Sequence, residues 1–285
     1  MKNISFYLLG CVLALLLTAG CGKRSGDSIQ IKGSDTMVNL IQAWAEEFTK
    51  DNPQANMSVT GGGTGTGIAA FISGSCEIVA ASRQIEPKEI EYAKRNGLEE
   101  KEYIASLDGI VVVVSPKNPV GKLTVDQLRD IFTGKITNWK EVGGKDAKIV
   151  LLSREINSGT HVFFKEHILR KGNPKGPEEF APSALLMPSS QAIADEISQN
   201  SGTIGYYGMG YISDKQKLIA VSKGAGLPFV LPSIKTVQNN TYPISRPLYL
   251  YTKKDASEAV LKFIDFTLSA KGQEIVQATD FVPVK

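Results

Sequence analysis

The sequence has 285 residues, 42% hydrophobic and 21% charged, a mixture that excludes a disordered or collagen-like chain. Thirty-two basic side chains against 29 acidic ones leave a formal charge of +3, too small an excess for a nucleic-acid binder, which concentrates basic residues on one face. The length suits one large domain or two of about 140 residues, each able to bury a core.

Met1-Lys2-Asn3 is a short positive start, and an uncharged, mostly apolar run of 12 residues, Phe6 to Leu17, follows it. A membrane span needs about 20 such residues, so residues 1–20 read as a secretory signal peptide. Leu17-Thr18-Ala19-Gly20-Cys21 resembles a bacterial lipobox, in which the cysteine becomes the lipidated first residue. Several acyl chains on Cys21 would anchor the product stably, where one chain would not. Cleavage leaves 265 residues, a formal charge of +2, and Cys21 and Cys76. With Cys21 acylated, Cys76 has no partner and no disulfide is expected. No CxxC pair is present, and His161 and His167 fall on different faces of a helix, so no metal site is expected. Residues 21–28 are small and polar and read as a flexible tether.

Short apolar runs bounded by turn residues then mark strands at Ile29–Ile31, Met57–Thr60, Ile78–Ala81, Ile110–Ser115, Ile149–Ser153, Thr203–Tyr207, Leu218–Val221 and Leu248–Thr252. Between them lie amphipathic patterns. Met37, Leu40, Ile41, Trp44 and Phe48 share one helical face, with Glu46, Glu47 and Lys50 opposite. Lys88–Arg95, Val125–Ile131 and Ser257–Leu268 behave alike. The charged stretch Glu99–Glu102 reads as solvated surface. Alternating strands and helices imply α/β architecture with mainly parallel sheets. Pro116, Pro119 and the region Pro228–Pro247 are places for connections between two lobes.

Three strand-to-helix turns share one chemistry. Gly33-Ser34-Asp35-Thr36 opens the first helix, Gly61-Gly62-Gly63-Thr64-Gly65-Thr66-Gly67 opens Ile68–Ile72, and Arg154 through Ser158-Gly159-Thr160 opens His161–Leu169. Each puts hydroxyls and unhindered backbone N–H groups at a helix N-terminus, where orphan amides and the positive dipole end favour an anion. Any one of them alone could be ordinary N-capping. Three at the carboxyl ends of strands form a pattern, because ligands of α/β sheets bind there. Arg154 and Arg83, each ending a strand, offer planar, permanently charged forks for an oxyanion. Asp35 would repel an anion unless the ligand carries a proton for it to accept; phosphate carries one at neutral pH and sulfate does not.

Rival motifs are weaker. Gly65-Thr66-Gly67-Ile68-Ala69-Ala70 fits a loose dinucleotide pattern, with Glu86 about 20 residues on. The same turn fits a small anion equally well. No phosphate-binding GxxxxGK[ST] and no GxSxG nucleophile elbow occurs. Ser158 and His161 lie three apart, which does not by itself make a catalytic pair.

On Gly33-Ser34-Asp35-Thr36-Met37, Gly62 through Gly67, Ala81-Ser82-Arg83, Arg154 through Thr160, Ile131 through Trp139 and Tyr242 through Leu248, the sequence resembles the phosphate-binding proteins of bacterial ABC phosphate importers, the PstS family. The resemblance spans nearly all of the mature chain. It implies a two-lobed, type II periplasmic-binding-protein fold that closes on one phosphate without chemistry and without a cofactor. Residues 29–112 with 245–285 would form one lobe and 113–244 the other. It places Ser34, Asp35 and Thr36, Thr64 with Gly65, and Arg154, Ser158, Gly159 and Thr160 on the ligand. The best-known members carry an aspartate at the place of Arg83, and it accepts the phosphate proton; here Arg83 joins the expected ligand set and Asp35 becomes the substitute acceptor. Trp139 and Lys135 read as structural or docking residues. The expectation is a monomeric, exported lipoprotein, not an enzyme, that hands phosphate to a membrane permease and binds no nucleic acid. The alternatives are a receptor for sulfate or molybdate, and a secreted phosphohydrolase using Ser158 or Thr160.

Overall fold

In the computed structural model, residues 28–284 are described. The expected signal segment 1–20 and Cys21 lie outside the described residues. Eleven strands are present among the described residues: β1 Ser28–Gly33, β2 Asn56–Thr60, β3 Ile78–Ala81, β4 Glu100–Val114, β5 Lys122–Thr124, β6 Val150–Arg154, β7 Leu185–Met187, β8 Thr203–Gly208, β9 Lys217–Leu218, β10 Ala220–Ser222 and β11 Ser245–Lys253. The α-helices are α1 Val38–Asp51, α2 Thr64–Ile72, α3 Pro87–Arg95, α4 Val125–Phe132, α5 Gly159–Phe164, α6 Ser190–Gln199, α7 Ile234–Gln238, α8 Glu258–Leu268 and α9 Ala270–Ala278. None of the described helices is long and apolar enough to cross a membrane.

The strands run β2-β1-β3-β11-β4-β8-β6-β7, with β9 beside β4, while β5 and β10 form a separate pair. The sheet is mixed rather than mainly parallel. Its flanks are parallel, β1 with β2 and β3, and β6 with β7 and β8. Its middle is antiparallel, β11 with β3 and β4, and β4 with β8. The 15-residue β4 joins the halves. Glu100 to Gly109 pairs with β11, and from Ile110 onward β4 pairs with β8. This is the two-lobed periplasmic-binding-protein fold, with one strand shared between lobes.

The first ten residues of β4 were not legible as a strand. Glu100-Lys101-Glu102 are poor strand formers with no apolar alternation, and only the pairing with β11 draws them into the sheet. In the first lobe, α1 buries Leu40, Ile41, Trp44 and Phe48, each worth about 1.5–3 kcal/mol out of water. The Trp44 Nε1–H donates to the Gly272 carbonyl at 2.8 Å, so α9 is fastened to α1 and the C-terminal segment returns to the lobe where the chain began. In the second lobe, Phe164 stacks on Tyr206 with ring centroids 3.8 Å apart, and Phe132 meets both edge-on. Trp139 is buried and donates to the Gly202 carbonyl at 3.0 Å, a packing residue of this lobe. Cys76 is free and buried among the described residues, and burial pushes its thiol up to about 12.

Candidate functional site

Parallel pairing of β1 with β2 and β3 brings three strand ends to one edge of the first lobe. The turn at Ser34–Thr36 follows β1, the glycine-rich turn follows β2, and Ser82 follows β3. From the second lobe, β6 delivers Arg154 and its turn opens α5. The two edges meet. Thr36 Oγ1 and Thr160 Oγ1 lie 2.9 Å apart, although 124 residues separate them in sequence. Thr64 Oγ1 accepts from the Ser82 N–H at 3.0 Å. A Cβ on Gly159 would stand 2.6 Å from both Thr64 Oγ1 and Ser82 Oγ, so only glycine lets the third turn enter this space. Ser158 Oγ accepts from the Thr160 and His161 N–H groups at 3.2 and 3.4 Å, capping α5.

Ser34, Thr36, Thr64, Ser82, Ser158 and Thr160 are all buried, a dense hydroxyl cluster for a protein interior. Ser34 Oγ is buried and has no partner among the described residues. An unmet buried hydroxyl costs about 1–3 kcal/mol, a cost that a polar ligand at this cluster would relieve.

Arg154 is 1% exposed. Its Nη1 donates to Ser190 Oγ at 3.0 Å and pairs with Asp35 Oδ2 at 3.1 Å; Nη2 and Nε donate to the Pro188 and Met187 carbonyls. Asp35 Oδ2 also accepts from the Ser190 N–H at 2.9 Å, and the Asp35 carbonyl accepts from the Tyr211 hydroxyl at 2.7 Å. Asp35 thus reaches from the first lobe to the N-terminus of α6 in the second. Both bonds into its carboxylate fall on Oδ2, which leaves Oδ1 as an acceptor.

Sequence reasoning missed the other half of the electrostatics. Arg246, at the start of β11, donates Nε and Nη2 to Asp108 Oδ2 at 3.1 and 2.9 Å, Nη1 to the Ser82 carbonyl at 2.8 Å, and Nη2 to Thr160 Oγ1 at 2.8 Å. Asp108 Oδ1 accepts from the Met209 N–H at 3.0 Å. Complete burial pushes the Asp108 carboxyl above its ordinary range, opposed by Arg246 and the Met209 amide. Two arginines and two aspartates cancel formally, so an anion here would be held by oriented donors more than by net charge. A signal for the pair was present: Asp108 is the one carboxylate at the edge of the apolar run Ile110–Val114, and Ser245-Arg246-Pro247 lies within the region carrying the family resemblance.

Two expected contacts fall elsewhere. Arg83 is not brought to the cluster as an anion ligand. Its Nη1 and Nη2 grip the Glu89 carboxylate, both at 2.8 Å, because Glu89 is the third residue of α3 and points back at the strand end. Burial raises the Glu89 carboxyl, but Arg83 and the Glu86 N–H more than offset it and hold it below its usual range. Only the buried Nε of Arg83 is left without a partner among the described residues. The Gly65 N–H, expected on the ligand, donates instead to the Asn157 carbonyl at 3.0 Å. His161 does not form a catalytic pair with Ser158. Its Nδ1 faces the Arg154 carbonyl at 2.8 Å, and since a carbonyl only accepts, Nδ1 carries the proton. Burial, with Lys165 nearby, depresses the imidazolium to about 4, so the ring is neutral at pH 7. The described residues contain no group of three or more His, Cys, Asp or Glu that could hold a metal ion.

Known proteins are similar to this chain along nearly its whole length. The family model described as a PBP superfamily domain matches residues 22–271. The phosphate-binding protein PstS of Bacillus subtilis is 33% identical, over 99% of this chain and 95% of that protein. PstS of Pseudomonas aeruginosa is 30% identical, over 92% of this chain and 85% of that protein. A Clostridium perfringens protein solved with bound phosphate superposes with a TM-score of 0.81 at 35% identity, covering 91% of this chain and all of that one. An ABC-type phosphate transport receptor from Vibrio cholerae gives 0.69 at 27% identity, covering 89% and 99%. With its fold, its converging turns and its full-length relatives in agreement, the chain belongs to the PstS family of phosphate-binding proteins within the PBP superfamily.

Proposed function

We propose that this chain is an extracytoplasmic receptor that captures inorganic phosphate between its lobes and delivers it to the membrane permease of an ABC importer. The carrying observation is the meeting of hydroxyls from three turns with Arg154 and Arg246 at one buried point to which both lobes contribute. A tetrahedral anion there would take donors from Ser34, Thr36, Thr64, Ser158, Thr160 and Arg154, with Gly159 giving the clearance. Asp35 Oδ1 would accept the phosphate proton and so tell phosphate from sulfate. The protein acts as a monomer held by acylated Cys21 on the short tether. The lobes divide as residues 29–112 with 245–285, and 113–244. The change of partner along β4 and the entry of β11 at Ser245 support a division in this region. His161 Nδ1 is engaged by the Arg154 carbonyl and not by Ser158, which supports binding over phosphoester hydrolysis.

Calorimetric titration of dialysed protein with phosphate, sulfate, molybdate and arsenate tests the reading. Phosphate and arsenate are expected to bind and sulfate to fail. Sulfate displacing phosphate at equal concentration sinks the assignment, and turnover of a phosphate ester abolished by Ser158→Ala replaces it with an enzyme. Asp35→Asn is expected to narrow the preference for phosphate over sulfate about tenfold, the worth of one charge-assisted hydrogen bond. An unchanged ratio leaves Asp35 as a contact between lobes only.

A further inference from the structure

Three hydrogen bonds cross from the third turn to the second, and all involve Asn157. Its Nδ2 donates to the Gly62 carbonyl at 2.8 Å and to Thr66 Oγ1 at 3.0 Å, while its own carbonyl accepts from the Gly65 N–H at 3.0 Å. Gly62, Gly65 and Thr66 belong to the first lobe, between β2 and α2 or within α2; Asn157 lies between β6 and α5 of the second. The approach is close. A Cβ on Gly63, whose φ is +93°, would stand 2.8 Å from the Asn157 carbonyl oxygen. The neighbouring Ile156 is 74% exposed, which places this contact at the rim of the cleft, outside the buried hydroxyl cluster.

We infer that Asn157 is a positioning residue for closure: it latches the rim of the two lobes and sets how long bound phosphate is held, without choosing which anion is bound. The inference rests on the receptor reading given above. Its physical basis is that the three bonds join different lobes, so they form only when the lobes meet and weigh on the closed state alone. Gly63 and Gly65 of the second turn therefore form a seat for Asn157, since a Cβ on either would crowd its backbone. Groups that touch the anion change affinity and selectivity together, whereas a rim latch changes release.

Release of radiolabelled phosphate into excess unlabelled phosphate measures the latch. Asn157→Ala removes two partly exposed side-chain bonds and is expected to speed release about five- to tenfold, with association rate and the phosphate-to-sulfate affinity ratio unchanged. Asn157→Asp turns an acceptor toward the Gly62 carbonyl and is expected to release faster still. Thr66→Val removes one bond and speeds release about twofold to threefold, and in the double variant with Asn157→Ala its effect disappears, because both changes cut the same contact. Thr66→Val also carries the test if Asn157→Ala folds poorly. Release from Asn157→Ala within twofold of wild type, additive effects in the double variant, or an altered phosphate-to-sulfate ratio overturns the latch. Failure of the wild-type protein to bind phosphate overturns the receptor reading instead, so the two failures are distinct.

Discussion

Asp108→Asn is the sharpest probe of what holds the lobe crossing together. Asp108 and Arg246 are 0% and 1% exposed at their side chains, so neither can turn to water for compensation. The carboxylate accepts three bonds, two from the guanidinium on Oδ2 and one from the Met209 N–H on Oδ1. An asparagine supplies one acceptor oxygen and two donors. It can answer the guanidinium or the amide, and the other donor is left facing an N–H. It has little room to turn elsewhere, because residue 108 is fully buried and packs closely against Gly208. Removing one partner of a fully buried pair costs about 3–5 kcal/mol. For a protein of this size, about 2–4 °C per kcal/mol, the melting temperature should fall by roughly 6–20 °C. Urea unfolding at pH 7 without phosphate reads the loss, and differential scanning calorimetry reads the temperature. A second arm adds saturating phosphate. If Arg246 lends charge to the anion, the ligand-induced rise in melting temperature should be larger in the variant, where the guanidinium has lost its partner. A loss below about 1 kcal/mol would refute the claim that Asp108 neutralises a buried charge.

Arg154→Ala should weaken phosphate binding by at least about a hundredfold in calorimetry, the worth of a charge-assisted pair in a buried site. It should also destabilise the fold, because four interactions of the guanidinium are severed with it; Arg154→Lys, which keeps the charge but not the fork, should bind at an intermediate level, and unchanged affinity in both removes Arg154 from the site. Arg83→Gln should leave phosphate affinity within about threefold and lower stability by about 1–3 kcal/mol through the lost Glu89 pair, measured by titration and urea unfolding; a hundredfold loss of affinity would return Arg83 to the ligand. His161 gives a pH test. Its imidazolium pKa is depressed to about 4 from 6.5, so the unfolded chain binds the extra proton between these values. The stability this contributes is present above pH 6.5 and is lost as pH falls toward 4, at most about 3 kcal/mol. His161→Gln should therefore lose less stability than wild type between pH 7 and pH 4.5, and equal acid sensitivity of the two proteins would refute it.

The sequence by itself determined the chemistry of the turns. Serine, threonine and glycine after strand-forming runs dictate helix starts rich in donors whatever surrounds them, and the apolar stripe of Leu40, Ile41, Trp44 and Phe48 dictates which face of α1 is buried. It also determined that Arg154 ends a strand beside such a turn. It could not decide partners across the fold. Whether a guanidinium meets an anion or a carboxylate depends on what stands opposite, and Arg83 with Glu89 is a helix-start pair that local residues could equally support or deny. Asp108 and Arg246 lie 138 residues apart. Only the antiparallel register of β4 against β11 puts them together, and only the sharing of β4 between lobes puts that pair beside Thr160. The charged opening of β4 gave no strand pattern for the same reason: its pairing is set by a strand far away in the chain. Local preferences act within a few residues, while salt bridges, sheet register and the latch at Asn157 are settled by approach in space.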